Sequence, residues 1–503
     1  MSRSGYYITT AIDYANGAPH LGHAFEKIGA DAIARYRRLR GERVRFVIGM
    51  DEHGQKVAQS AADAGLSPQA WTDRVAAEFQ RAWKSLAISH DDFIRTTEPR
   101  HRLAVEEVIR RMAAKEDLYR GSYAGYYCVG CEAYKSEDEL LEGRCPVHPD
   151  REVEWMEEED WFFRLSAYRQ PLLELIERRP GFVEPEPRRN EVRKILAELK
   201  DVSVSRSLLS WGIPWPGDPD QTVYVWIDAL TNYLSAIGFP EDGYREWWPA
   251  DLHVIGKDIV RFHCVYWPAM LLSAGVEPPQ QVWAHGFMTM GGGKLSKSAG
   301  VTVTLPEAVS RYGPDALRYF LLREIPWDGD GNFSWRRFDE RYTSELANDL
   351  GNLASRTVSM IIRYREAKVP AGQATDLDLK SSEAVDEYTA KMDAHLLHEA
   401  AASVLGLVAE ANGFVERRAP WAVAKDPSRR AELDATLRSL ARALAVSAVL
   451  LSPFMPGKAL ELWSRLAGGR EAPGLDGLAG LDPAGWRVEK GEVLFPRPDL
   501  APL

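Results

Sequence analysis

A run of β-branched and aromatic residues, Tyr6-Tyr7-Ile8-Thr9-Thr10, passes through a turn into Pro19-His20-Leu21-Gly22-His23. The run reads as a buried strand. Asn16-Gly17-Ala18-Pro19 supplies the turn. A helical pattern follows from about Leu21 to Arg38, with Phe25, Ile28, Ala32, Ile33 and Tyr36 recurring on it, and Gly41 stops it. Strand and helix patterns keep alternating to about Met112. Val44-Arg45-Phe46-Val47-Ile48-Gly49 is a second strand, followed by Asp51-Glu52-His53-Gly54. Such βα alternation builds a parallel sheet with a nucleotide site beyond the C-terminal ends of its strands.

His20 and His23 stand where a strand feeds a helix. Unpaired N–H groups and the helix dipole favour phosphate there. Three residues apart, the two imidazoles share a helical face, and Gly22 leaves that face open to a nucleotide. The plainer reading is a pair of capping or core histidines. Far along the chain, Lys294-Leu295-Ser296-Lys297-Ser298 follows Gly291-Gly292-Gly293, so a movable loop carries point charges and hydroxyl donors suited to phosphate oxygens. Its plainer reading is a solvated basic loop. Taken in this order, the two segments predict a site that holds the triphosphate of ATP while its α-phosphate is attacked.

The four cysteines are not a disulfide framework. Cys128-x2-Cys131, thirteen residues, then Cys145-x2-His148 is metal-knuckle spacing. Gly130 and Pro146 let the two turns fold back. Four soft ligands with no open position predict a closed, structural Zn²⁺. Cys264 stands apart and reads as buried packing.

At 503 residues the chain is too long for one core, and three or four units are expected. The pattern divides into residues 1–117 and 216–282 for the two halves of the sheet domain, 118–215 for an insertion with the metal knuckle, 283–345 for the basic-loop region, and 346–503 for a helical bundle. The insertion carries the acidic run Glu152 to Asp160. The βα pattern resumes at Val223-Tyr224-Val225-Trp226 and at Leu252-His253-Val254-Ile255-Gly256-Lys257-Asp258. Beyond Tyr342 the pattern is amphipathic helix (Leu346, Leu350, Leu353, then Leu396 to Val415 and Leu433 to Leu451). Gly491-Glu492-Val493-Leu494-Phe495 reads as a returning strand. The fold class is therefore α/β: a Rossmann-like parallel sheet split by a zinc-knuckle insertion, then an α-helical bundle.

No apolar stretch is long enough to span a membrane, and no signal peptide is visible, so a cytoplasmic protein is expected. A net charge of −11 argues against broad, non-specific coating of nucleic acid but leaves room for a local patch. Arg35-Tyr36-Arg37-Arg38-Leu39-Arg40 is one such cluster, or simply a solvated helix end.

The paired motifs resemble the two signatures of class I aminoacyl-tRNA synthetases, with Leu295 where Met is usual. Ala11-Ile12-Asp13-Tyr14-Ala15-Asn16-Gly17, Gly49-Met50-Asp51-Glu52-His53-Gly54, Val225-Trp226-Ile227-Asp228-Ala229, Gly256-Lys257-Asp258-Ile259 and Asn352-Leu353-Ala354-Ser355-Arg356 extend the resemblance over almost the whole chain. They point to the methionyl-tRNA synthetase family, of the type with a single metal knuckle. The resemblance implies a methionine pocket lined by Ile12, Tyr14, Asp51, Trp226, Tyr233, Ile259 and His263. It implies an ATP site at His20, Gly22, His23, Gly256, Asp258, Lys294, Ser296, Lys297 and Ser298, with Mg²⁺ accompanying ATP. It places Arg206 close to the reacting groups, with His20, His23, Lys294 and Lys297 as the other catalytic residues. It gives Asn352, Arg356 and Trp421 to the CAU anticodon of tRNA(Met).

The residue types suit those roles. A thioether packs well against aromatic rings, and Asp51 can meet the substrate ammonium. Single-stranded bases are read by stacking and edge hydrogen bonds, for which Trp, Arg and Asn serve. The other reading of Trp226 and Tyr233 is a core stripe. That of Trp421 is a plug in the bundle core, with Arg356 paired to an acid. Asp13 stands where the family often has Pro or Tyr, and is expected to face solvent. The expected protein is a monomer without an appended C-terminal module. Small nucleotidyltransferases, which share the His-x-Gly-His motif, lack the insertion and bundle. A non-catalytic RNA- or partner-binding relative would usually have lost a motif His or Lys. Synthetases for isoleucine, valine or leucine carry a larger editing insertion.

Overall fold

The computed structural model describes residues 5–128, 133–135, 137–146, 148–150, 152–207, 209–290, 293–294 and 303–497. The chain forms two compact units, one of Met1–Pro19, Val44–Trp83 and His90–His285, the other of His20–Arg43, Lys84–Ser89 and Gly286–Leu503.

The first unit is built on a parallel sheet. Its strands run in the order Asp92–Arg95, Val44–Asp51, Tyr6–Thr10, Leu252–Gly256, Val282–His285 and Val183–Glu184. Asp13–Tyr14 also pairs in parallel with Met50 and Asp51. Leu252–Gly256 and Val282–His285 are buried at every position, which is why they read as continuous runs rather than alternating ones. Helices Gln55–Asp63 and Pro68–Ser85 lie in sequence between the strands Val44–Asp51 and Asp92–Arg95.

The stretch expected as an insertion holds one antiparallel sheet and part of a second, which runs past the expected boundary at residue 215. In one, Leu118–Cys128 pairs with Glu154–Phe163 over ten positions, flanked by Ala133–Lys135 and Val202–Ser203. The acidic run thus lies in a strand. In the other, Asp218–Val223 pairs with Ser205–Arg206 and Pro214–Trp215. Within the same stretch, Val183–Glu184 joins the parallel sheet beside Val282–Trp283.

At Val223-Tyr224-Val225-Trp226, where the βα pattern is expected to resume, the strand ends at Val223 and Val225–Leu230 is helical. A short apolar run does not by itself separate strand from buried helix, and here tertiary bonds of Asp228 favour the helix. Gly491 to Phe495 forms no strand. Leu494 and Phe495 are buried while Val493 is exposed, and Tyr342 donates its hydroxyl to the Pro496 carbonyl at 2.7 Å.

The second unit begins with the helix Leu21–Leu39. Phe25 meets Trp327 edge to face at 5.0 Å. Asp31 pairs with Arg318 at 2.7 Å, both fully buried. Met288–Met290 pairs with Gly293–Lys294 and, in parallel, with Gly331–Phe333. A π-helix, Tyr342–Gly351, leads into Asn352–Arg365, and Asp376–Asp393, Leu397–Arg418, Arg430–Leu451 and Pro456–Ala467 complete the expected bundle.

The arginine cluster is not an open basic patch. Arg35 pairs with Asp31 at 2.7 Å, Arg37 with Glu42 at 3.2 Å and Arg40 with Asp393 at 2.7 Å, and Arg38 donates to Ser89 Oγ at 2.7 Å. The charges tie the helix end to its own unit. Among the described residues, no helix is long and apolar enough to cross a membrane.

Candidate active site

His20 is the N-cap of the Leu21–Leu39 helix, and it caps with its ring. Its Nδ1 accepts from the Gly22 amide at 3.1 Å and the His23 amide at 3.4 Å. In return His23 Nδ1 accepts from the His20 amide at 3.3 Å. The rings stack with centroids 3.7 Å apart. The amides of Gly22 and His23, expected to be offered to phosphate, are directed at an imidazole instead. The capping reading is borne out. With each Nδ1 accepting, each neutral ring carries its proton on Nε2. Burial, with His20 and Lys27 nearby, holds His23 well below the ordinary histidine value. A Cβ on Gly22 would lie 2.9 Å from His20 Cε1, so the glycine makes room for the capping ring.

The residues expected around methionine all belong to the first unit. Tyr14 and Asp51 face each other in register where their strands pair, and Asp51 is nearly buried. Ile12 is half-buried just before Asp13. Trp226 stacks flat on Phe262 at 3.7 Å and meets His263 edge-on at 6.4 Å. Tyr233 Oη lies 2.7 Å from His263 Nε2, and its ring stacks on His253 at 4.2 Å. His263 Nδ1 lies 3.1 Å from the Ile259 carbonyl, an acceptor, so Nδ1 carries the proton and the Tyr233 hydroxyl donates to Nε2. The structure thus brings Trp226, Tyr233, Ile259 and His263 into one cluster, with Phe262 as a member that the sequence did not single out. Gly256 ends its strand with Asp258 folded back over it. A Cβ there would sit 2.7 Å from Asp258 Oδ1. Asp13 departs from expectation: it is 4% exposed, because its strand pairs with Met50 inside the sheet.

Two residues after Trp226, Asp228 centres a buried charged group to which the sequence assigned no role. Asp228 Oδ2 lies 2.6 Å from His53 Nδ1, and Asp228 Oδ1 lies 2.7 Å from His101 Nε2. His101 Nδ1 lies 2.9 Å from Ser235 Oγ. Burial alone would lift the Asp228 carboxyl, but His53 and His101 outweigh it and push it down to about 2. Burial alone would lower His53, but Asp228 and then Glu52 hold it above the ordinary histidine value. The signal was present in Asp51-Glu52-His53-Gly54 and Trp226-Ile227-Asp228-Ala229. His101, in an unremarked helix, had none.

Arg206 lies in the small antiparallel sheet rather than the parallel one. It is buried, donates to Ser203 Oγ at 2.7 Å and the Ser205 carbonyl at 2.6 Å, and covers the Tyr224 ring at 4.2 Å. The backbone of Lys294 lies in the Gly293–Lys294 strand. Ser296, Lys297 and Ser298 lie outside the described residues, as does Cys131.

Cys128, Cys145 and His148 offer ligand atoms within 4.8 Å of one another, and both thiols are buried. These three could hold a metal ion. Cys264 is buried, which pushes its thiol up, as packing requires. In the bundle, Asn352 is exposed and Arg356 pairs with Glu416 at 2.7 Å. The Arg356 guanidinium lies 5.7 Å from the Trp421 ring centre, and Trp421 is 41% exposed, so it does not plug the core.

Residues 6–153 and 148–358 match the family profile of class I tRNA synthetases (M). Residues 366–497 match that of the anticodon binding domain of methionyl tRNA ligase. The chain is 43% identical over 508 residues to the methionine–tRNA ligase of Caldanaerobacter subterraneus, covering 98% of this chain and 79% of that one. It is 42% identical to that of Streptomyces coelicolor, covering 99% and 97%. The solved structure of Mycobacterium tuberculosis methionyl-tRNA synthetase in complex with methionyl-adenylate superposes with a TM-score of 0.94 at 41% identity, over 98% of this chain and 100% of that one. The chain belongs to the methionyl-tRNA synthetases of class I, the methionine–tRNA ligases.

Proposed function

We infer that this chain activates methionine with Mg-ATP, releasing pyrophosphate and forming methionyl-adenylate, and passes the methionyl group to the 3′ end of tRNA(Met). The observation that carries the amino-acid assignment is the hydrogen-bonded aromatic cluster of Trp226, Phe262, His263 and Tyr233, with Asp51 at the end of its strand. Ring faces suit a thioether, and the carboxylate suits an ammonium. Ile12, Tyr14 and Ile259 complete the pocket.

Chemistry in the first step is displacement at phosphorus, so the protein contributes positioning and charge stabilisation. The methionine carboxylate attacks the α-phosphorus in line, the new C–O–P bond forms, and the bond to pyrophosphate breaks. His20 and His23 donate through Nε2–H to phosphate oxygens as charge moves toward the leaving group. They act as neutral donors, because both Nδ1 atoms are engaged with backbone amides. Gly22, Gly256 and Asp258 bind the nucleotide. Lys294 and Lys297 would close over the β- and γ-phosphates, and Ser296 and Ser298 belong to the same ATP site. Arg206, held in a buried frame by Ser203 and Ser205, adds positive charge near the reacting groups. In the second step, the terminal ribose hydroxyl attacks the adenylate carbonyl and AMP leaves. Asn352, Arg356 and Trp421 read the anticodon by stacking and edge hydrogen bonds.

Cys128, Cys145 and His148, with Cys131, would hold zinc. The donor set fits, being soft, closed and partly buried. The ion would fold the knuckle and take no part in the reaction. We assign residues 1–117 and 216–282 to catalysis, 118–215 to the knuckle insertion, 283–345 to the loop and stem contact, and 346–503 to anticodon binding. The protein works as a cytoplasmic monomer.

The test is amino-acid-dependent ATP–pyrophosphate exchange with each of the twenty amino acids, without tRNA. Exchange with methionine alone is expected. Exchange with a different amino acid would keep the fold and overturn the pocket. No exchange from folded protein would favour a binding role.

A further inference from the structure

Asp228 follows Trp226 by two residues, and His53 follows Asp51 by two. The 2.6 Å bond between Asp228 and His53 therefore ties the strand end that carries one side of the amino-acid pocket to the helix that carries the other. Asp228 is 1% exposed and His101 is fully buried, so water cannot substitute for a lost partner. The network reaches the third pocket element as well. Ser235 Oγ lies 2.9 Å from His101 Nδ1 and 3.2 Å from the carbonyl of Asn232, the residue before Tyr233. Its single hydroxyl proton can go to either acceptor.

We propose that Asp228, held between His53 and His101, is the positioning residue that fixes the separation of Asp51, Trp226 and Tyr233 and thereby sets the affinity for methionine. The proposal rests on the pocket reading above. Asp228 touches no substrate in it; it acts through the two imidazoles. A carboxylate is needed because both faces of the clamp are N–H donors. Asparagine of the same size would turn one acceptor into a donor aimed at an imidazole N–H. The groups facing His53 are Asp228, Glu52 and the edge of Trp211, whose ring centre lies 5.4 Å away. Glu52 is held by Arg95 Nε at 2.6 Å and Thr97 Oγ1 at 2.5 Å, so its charge is already matched, and Asp228 is the principal partner of a charged His53. Since the His53 value is raised, the Asp228–His53 pair carries opposite charges below that raised value and loses this attraction above it.

The experiment is ATP–pyrophosphate exchange with the full chain, saturating methionine and ATP separately, at several pH values, for the parent, Asp228→Asn, His53→Gln, His53→Ala and Trp226→Ala. Asp228→Asn is expected to raise KM for methionine by about tenfold or more while KM for ATP moves less than about threefold. His53→Gln, which keeps a donor, should recover part of what His53→Ala loses. The parent's KM for methionine should rise with pH through the His53 titration, and that rise should vanish in His53→Gln. If Asp228→Asn does not fold, the His53 series decides. Equal shifts in both KM values, or an unchanged pH profile in His53→Gln, would overturn the proposal. If Trp226→Ala leaves KM for methionine unchanged, the pocket reading itself fails. If Trp226→Ala raises it and the Asp228 and His53 variants do not, only the positioning role fails.

Discussion

Asp31 and Arg318 form a 2.7 Å ion pair with neither side chain exposed. Arg318 also donates to the carbonyls of Leu86, Pro453 and Phe454, and Asp31 accepts from the amide and hydroxyl of Ser89. The pair fastens the helix that begins with His20 to the Pro314–Glu324 helix and to the chain leaving Arg430–Leu451. Arg318→Met should destabilise the protein by about 3–5 kcal/mol, because it strands a buried carboxylate. Asp31→Asn/Arg318→Met together should cost less than the sum of the singles, measured by denaturant unfolding. Burial would raise the Asp31 carboxyl, but Arg318 and Arg35, with hydrogen bonds from Ser89, hold it below its ordinary value. Its folded value is the lower one, so the associated stability is present above the ordinary aspartate value and is lost as the pH falls toward the folded one. A parent whose acid unfolding matched that of Asp31→Asn would contradict this.

The second prediction concerns the paired histidines. His23→Ala should lower the rate of adenylate formation by about 10²–10³, the usual loss on removing one preorganised donor. Because His23 is held well below the ordinary histidine value, it stays neutral at physiological pH. The pH profile of exchange should therefore show no inflection between about 6 and 8 that His23→Gln removes. Such an inflection would mean a charged His23.

Zinc removal gives the third. A structural zinc site contributes about 10–16 kcal/mol of apparent binding free energy, and the knuckle has little core of its own. Chelation or Cys145→Ala should raise hydrogen exchange in Leu118–Cys128 and Glu154–Phe163 and leave Arg430–Leu451 protected. Metal analysis should return one zinc per chain for the parent and none for the variant.

Trp421 supports the fourth. It is 41% exposed beside Arg356, so trimming it opens no cavity. Trp421→Ala should cost about 1–3 kcal/mol in tRNA recognition, seen as a loss in kcat/KM for aminoacylation, with pyrophosphate exchange and thermal stability unchanged. Equal losses in exchange and aminoacylation would indicate a folding role.

What the sequence made legible follows from where its information is local. The strand Tyr6–Thr10, the helix after His20 and the bundle could be read because composition and period agree over many residues. The strand-to-helix boundary at Val225–Leu230 could not, because five of its six residues are apolar and satisfy either period, and the bonds of Asp228 to residues 175 and 127 positions away decide between them. Asp13 was expected in solvent because a carboxylate near a pocket mouth usually faces water, but pairing with Met50 buries it. The arginines at 35–40 left a patch and a solvated helix end open because their acids lie elsewhere in sequence, Asp393 among them. Phe262 and His101 belong to the site through contacts that only the fold creates.

The reciprocal cap of His20 and His23 has an evolutionary side. Each imidazole satisfies the other residue's main-chain amide, so neither position can change alone without exposing a donor at its neighbour. Selection therefore acts on the two as a single character. A single substitution at either position should therefore cost stability at the helix start, independent of any effect on turnover. The pairing ties both residues to the start of the helix whatever their chemistry.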